Sequence, residues 1–283
     1  MKKSARVQWA FIAVFCCCAA NVAVASAYGA QRDDKEIVKQ ARQEYYNLRN
    51  RGLIAFSSSV QPNWRLVLKN QLSADPANAE NAVNMLNGIH FLLSLGPDGA
   101  VKVTHRADIA PTNEKVAEGF KQIFGGMEQS MSGFFDTWSP FMLTSPFPEV
   151  GSEYHLEEVD NQYRLSYKEG TATVVTAMSK KDLVISEIAV DSPEFKSVIK
   201  PQFTRTEQGL VLSGYQANYQ GVTDGTKVLL NVQIENQPVN GLQLPRKLNL
   251  SGSYQGTPFE MELVFSDYQL QKSVITTELA ARP

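Results

Sequence analysis

The sequence predicts an α+β fold, with a helix-rich first half and a strand-rich second half, rather than alternating helices and strands. Two observations carry this. Val116, Phe120, Ile123, Met127, Met131, Phe134 and Trp138 recur in steps of three and four, on one face of a helix about 25 residues long. From Tyr154 onward the period drops to two: Tyr163, Leu165 and Tyr167 alternate with Arg164, Ser166 and Lys168. Val228, Leu230, Val232 and Ile234 alternate in the same way.

Taken in order, the first element is a leader. Lys2, Lys3 and Arg6 precede an apolar run and then small residues ending in Ala25-Ser26-Ala27. That is the order of a secretory signal peptide, with cleavage expected after Ala27. An uncleaved anchor is the alternative, but the apolar run is shorter than the roughly 20 residues a spanning helix needs. All three cysteines, Cys16, Cys17 and Cys18, lie in this leader. Lipidation of one of them is a further alternative, and bulky Phe15 before Cys16 fits that poorly. Without lipidation the mature chain has no thiol, hence no disulfide and no thiolate metal site.

Residues 33–51 read as a helix, with Asp33 and Asp34 near its start, Arg49 and Arg51 near its end, and Gly52 closing it. Residues 53–60 read as a strand, and 64–71 as either strand or helix, with helix preferred. Residues 77–95 read as a helix carrying Ala82, Leu86, Ile89 and Leu93 on one face. Gly96-Pro97-Asp98-Gly99 is a turn, and residues 100–105 a short strand. The long helix occupies 114–139, ended by Pro140, with a break expected at Gly125-Gly126 because each Gly costs roughly 1 kcal/mol against Ala. The second half is an antiparallel meander with one buried face, and Gly252 marks a bulge or a bend in one strand. The tail from Ser273 shows no pattern and is expected to fray. One α+β domain is expected over residues 28–272.

After cleavage the chain has 24 Lys+Arg against 29 Asp+Glu, a formal net charge of −5. That balance disfavours nucleic acid as a partner. No later stretch is apolar for long enough to span a membrane.

Chemistry-bearing motifs are sparse. His90 falls on a predicted helix, and His105 ends a strand beside Arg106. His155 and Glu157 share a strand face, too few ligands for a zinc site. There is no G-x-S-x-G and no H-E-x-x-H. No catalytic residue, metal or cofactor is expected. What stands out is apolar surface on both layers: Phe120, Ile123, Met127, Met131, Phe134 and Trp138 on the helix, and Tyr, Leu, Val and Phe on the sheet. These residues either form the core or line a cavity for an apolar ligand between helix and sheet.

Lys200-Pro201-Gln202-Phe203-Thr204, Gly209-Leu210-Val211-Leu212, the strand at 228–234, Val239-Asn240-Gly241-Leu242-Gln243-Leu244-Pro245-Arg246-Lys247-Leu248 and the strand at 261–265 follow one another in the second half. Together they resemble the end of the LolA-like superfamily, which includes the periplasmic lipoprotein carrier and other secreted lipid-binding proteins. The resemblance covers about residues 150–272, and the N-terminal half is longer than the usual carrier layout. It implies an unclosed β-barrel or strongly curved antiparallel sheet, with helices plugging or lining the concave face. It implies reversible binding of a lipid, an acyl chain or a lipidated protein in the periplasm or a secreted location, and no catalysis. Two other classes stay open: a cavity-less module binding an envelope protein, and a hydrolase using one of the three histidines.

Overall fold

Period-two apolar patterning in both halves of the chain produces one shared sheet. The computed structural model describes residues 34–108 and 114–273. The expected leader, with Cys16, Cys17 and Cys18, lies outside the described residues, as does the tail beyond Ser273. The elements are α1 (Asp34–Glu44), β1 (Leu53–Pro62), α2 (Trp64–Val67), α3 (Lys69–Ala74), α4 (Pro76–Asn87), β2 (Ile89–Leu95), β3 (Val101–Ala107), α5 (Glu114–Met142), β4 (Tyr154–Val159), β5 (Gln162–Glu169), β6 (Ala172–Ser179), β7 (Ile185–Asp191), β8 (Phe195–Thr206), β9 (Gly209–Gly221), β10 (Lys227–Val239), β11 (Leu242–Tyr254) and β12 (Thr257–Lys272).

All twelve strands form one antiparallel sheet in the order β3-β2-β1-β12-β11-β10-β9-β8-β7-β6-β5-β4. From β4 to β12 the chain is a meander of consecutive hairpins. The early strands join at its far end, because β1 pairs along β12 from Leu53↔Lys272 to Pro62↔Leu263. β3 and β4 are the two edges and do not pair with each other, so the curved sheet is unclosed.

The turns explain the hairpins. Asn240 and Gly241 both have positive φ, 49° and 81°, as a two-residue hairpin loop with mirror-image twist requires. Two prolines sit inside strands beside bulges. Pro245 pairs with Asn236 next to a register shift that skips Arg246, and β12 pairs with β11 only from Lys247 onward. Pro201 pairs with Tyr215 just before the shift between Gln202 and Phe203, past the last β7 partner at Ile199. In both places the missing N–H leaves no partner wanting on one side.

Several sequence expectations need correction. The first helix stops at Glu44 rather than 51. Tyr45 forms a parallel bridge with Leu210, the Tyr46 N–H donates to the Leu210 carbonyl at 3.0 Å, and the chain then turns into β1. Residues 77–95 are not one helix: α4 ends at Asn87 and β2 begins at Ile89. Ile89 and Leu93 are four apart, a spacing that shares a face on a helix and on a strand alike, and buried Phe91 and Leu95 make the strand. Pro140 does not end α5, which runs through it to Met142. The Leu143 N–H reaches the Ser139 carbonyl at 2.8 Å, and the Met142 carbonyl accepts from the Leu48 N–H at 2.8 Å. Nor is there a break at Gly125-Gly126: the helix is continuous there. The register is also unbroken at Gly252, so it marks a close approach rather than a bulge.

Candidate functional site

The inner face of the sheet is the one that meets α5. Phe135 of α5 packs edge-on with Phe265, 6.2 Å between ring centroids, and lies 6.1 Å from Phe56. The Met142 sulfur accepts from the Leu212 N–H at 3.3 Å, and the Thr137 and Tyr219 hydroxyls are 3.1 Å apart. Of the six helical residues singled out from the sequence, Phe120, Met127, Met131, Phe134 and Trp138 are buried. Ile123 is half-buried against the same cluster. All six belong to, or pack on, the main core.

Inner-face burial falls away toward the β9–β10 hairpin turn. One cross-strand row runs Leu156, Leu165, Thr176, Ile188, Ile199, Ala217 and Leu230; Leu165, Thr176, Ile188 and Ala217 are buried and the other three half-buried. The next row outward runs Tyr154, Tyr167, Val174, Val190, Ser197, Tyr219, Val228 and Tyr254; Val174 and Ser197 are buried and the other six are half-buried. Four of these six are tyrosines, which combine an apolar body with a polar tip. Sequence reasoning assigned the tyrosines to strands without seeing that they share a row, because cross-strand register is not written in the spacing of one strand. The available signal was their common parity along successive strands.

Asp136, on α5, faces this region. It is exposed to solvent, yet surrounding protein desolvates it enough to hold its carboxyl above the ordinary carboxylate range. Its charge also helps hold the Tyr219 phenol up, after burial as the main cause.

The N-terminal half of α5 rests on the edge hairpin. The His105 ring stacks on Phe124, 3.7 Å between centroids, and His105 Nδ1 is 3.4 Å from Glu128 Oε1. Gly125 and Gly126 lie between these two contacts. A Cβ at either one, or at Gly119, would meet nothing within 4 Å. These glycines therefore give no close packing in return for weakening the helix. The Ser130 hydroxyl also bonds the Gly126 carbonyl at 2.8 Å, a back-bond that loosens helical geometry.

The histidines are dispersed. His90 lies on β2, not on a helix, with Nε2 2.8 Å from Asp108 Oδ2; this pair holds the Asp108 carboxyl below its ordinary range. His90 is directly opposite Arg106 and His105 opposite Phe91, so the two imidazoles project from opposite faces of the hairpin. His155 lies across from Ser166 on β5. The recorded side-chain partners of His90 and His105 are the carboxylates of Asp108 and Glu128. No group of three or more metal-ligating side chains exists among the described residues.

Two surface depressions, of about 390 and 270 Å³, lie away from α5. The larger is lined by Glu44, Lys181, Asp182, Leu183 and Arg205, where Arg205 and Glu44 form an ion pair at 2.6 Å. The smaller is lined by Thr206, Glu207, Gln208 and Gln243. Polar and charged residues make up most of both linings, and neither lining includes any of the six helical residues. No helix among the described residues is long and apolar enough to cross a membrane. No protein-family model, no characterised protein and no solved structure matches this chain.

Proposed function

We propose that this is an exported, non-enzymatic protein that binds a lipid, an acyl chain or a lipidated protein between α5 and the concave inner face of the sheet. The observation that carries the reading is the group of half-buried residues Tyr154, Tyr167, Val190, Tyr219, Val228 and Tyr254, which share one inner-face row with buried Val174 and Ser197. It offers apolar area rimmed by tyrosine hydroxyls, continuous with the core beneath α5. An acyl chain laid against such a surface gains roughly 0.8 kcal/mol per buried CH₂, enough for useful affinity without a charged contact. Phe120, Ile123, Met127, Met131, Phe134 and Trp138 line the deeper part when α5 shifts, and unbranched Met side chains suit such repacking. Gly119, Gly125 and Gly126 lower the cost of moving the N-terminal half of α5. The resemblance of the second half to the LolA-like carriers supports the same reading, and a periplasmic or secreted location with it.

The test is lipid mass spectrometry on protein purified after expression of the full chain, followed by displacement of a fluorescent fatty acid. Co-purified lipid or saturable displacement is expected. A protein that is empty and also fails to bind the probe removes the reading.

A second reading, an interaction module without a cavity, is favoured by one exposed apolar pair. Phe195 and Val222 are 40% and 51% exposed. Phe195 and Val222 lie on adjoining hairpin ends, linked by the Val222 N–H to the Glu194 carbonyl at 2.9 Å. Loss of binding to an envelope protein on Phe195→Ser, with lipid binding absent throughout, would select this reading.

A further inference from the structure

β3 and β4 end the sheet on its two sides. An edge strand is a template on which another strand can pair. Along an antiparallel ladder, hydrogen-bonded pairs alternate with non-bonded ones. In the β2–β3 hairpin the Gly96 N–H donates to the Ala100 carbonyl and the Asp108 N–H to the Gly88 carbonyl, each at 2.9 Å. Between these pairs the same register turns the backbone groups of Lys102, Thr104 and Arg106 toward β2, and those of Val103 outward. At the other edge, Val159 and Gln162 close a two-residue hairpin loop. Counting back from that pair, Leu156 also turns its backbone groups outward. Val103 lies opposite buried Leu93, and Leu156 opposite buried Leu165, so both belong to the inner face. Setting Val103 opposite Leu156 in an antiparallel pair puts Lys102 opposite Glu157, Thr104 opposite His155 and Arg106 opposite Glu153. The four charged residues are all exposed, and Arg106 has Asp108 3.4 Å away as a competing partner. One register therefore matches backbone direction, apolar face and charge together.

We infer that copies of this chain associate edge to edge, β3 of one beside β4 of the next, with Lys102 against Glu157 and Arg106 against Glu153. Charge selects this arrangement over its alternatives. Two β3 edges side by side would crowd four cations, and two β4 edges four carboxylates, and like charges across strands are destabilising. Twelve strands alternating in direction leave β3 and β4 antiparallel to each other. A copy added in this way keeps its orientation, and its inner face continues that of the first. The contact is heterologous, so it repeats into a ring where the rotation closes and into a filament where it does not.

The test is sedimentation velocity on protein purified after expression of the full chain, from micromolar to millimolar concentration. Mass is expected to rise above one copy with concentration, and the rise to shrink from low salt to about 0.5 M, because salt screens exposed charges. Lys102→Glu with Arg106→Glu, or Glu153→Lys with Glu157→Lys, should each weaken association at least about tenfold. Mixing the two variants should restore it, because each then offers the other an edge of opposite charge. Recovery on mixing also shows that both variants fold. A wild-type protein that stays a single copy across this range overturns the inference, whether the edges stay open or the sheet closes on itself. Association that both variants retain places the contact elsewhere and overturns it too, as does association lost in both and not regained on mixing. No lipid enters these measurements, so the carrier reading stands or falls separately.

Discussion

The Thr137 hydroxyl on α5 stands 3.1 Å from the Tyr219 hydroxyl on β9 and also donates to the Gly133 carbonyl at 3.2 Å. This contact ties the long helix to the half-covered end of the inner face. The two sides of the pair should respond unequally to mutation. Tyr219→Phe leaves Thr137 with the Gly133 carbonyl, so the loss is one net hydrogen bond, about 0.5–1.5 kcal/mol. Thr137→Val takes the hydroxyl partner from the half-buried Tyr219 phenol and should cost about 1–3 kcal/mol. Urea unfolding of the two variants, with equal slopes, measures the difference. A larger loss for Tyr219→Phe would mean that ring packing dominates the site.

Asp136 makes stability depend on pH in a stated direction. Burial holds its folded-state carboxyl above the ordinary value, while the unfolded chain titrates near that value. The favourable contribution is present below the unfolded carboxylate range and is lost as pH rises through the folded value. Asp136→Asn should therefore be more stable than wild type at pH 7 and indistinguishable from it at about pH 3. Thermal unfolding at the two pH values checks this. Equal melting temperatures at pH 7 would show that the surrounding protein does not desolvate the group.

Four tyrosines, two buried and two half-buried, act at the alkaline end. Burial raises the phenols of Tyr45, Tyr167, Tyr215 and Tyr268 beyond their ordinary range. Their contribution is intact below the unfolded phenol value, about pH 10, and is lost as pH rises above it. Unfolding followed by ultraviolet absorbance of tyrosinate should show ionisation and loss of structure together between about pH 10 and 12. Ionisation well before unfolding would show that these rings are wet.

Legibility followed the physics of each element. The stripe from Val116 to Trp138 fixed α5 because seven residues in helical register admit no other reading. The meander was equally plain, since alternation with turn residues between strands has one interpretation. β2 was misread because spacing of four suits two periods. Tyr45 left the helix because its hydroxyl donates to the Leu183 carbonyl at 3.1 Å and accepts from the Ile185 N–H at 2.6 Å. Those partners lie more than a hundred residues away and leave no local trace. The joining of β1 to β12 and the tyrosine row are likewise matters of pairing rather than pattern. The stripe could show which residues face inward, but not how much of the inner face α5 leaves uncovered.

The helix glycines should be replaceable at a profit in stability. Gly125 and Gly126 are exposed, and a Cβ on either meets nothing within 4 Å. Gly125→Ala and Gly126→Ala should each stabilise by about 0.5–1 kcal/mol. If the helix must move for uptake, the double variant should also load fatty acid more slowly, seen by stopped-flow fluorescence. A stabilised protein with unchanged loading would separate helix stability from access.

Gly252 should behave in the opposite way. A Cβ there would fall 1.9 Å from the Leu229 carbonyl oxygen, backbone of the paired strand β10. No side-chain rotation relieves that contact, so β10 and β11 would have to separate there. Gly252→Ala should cost more than about 2 kcal/mol, as overpacking against fixed atoms does. Amide exchange should quicken along Leu229 to Val232 and Leu250 to Tyr254, while α4 keeps its protection. A cost below about 0.5 kcal/mol, the scale of an ordinary surface change, would mean that the strands part easily here.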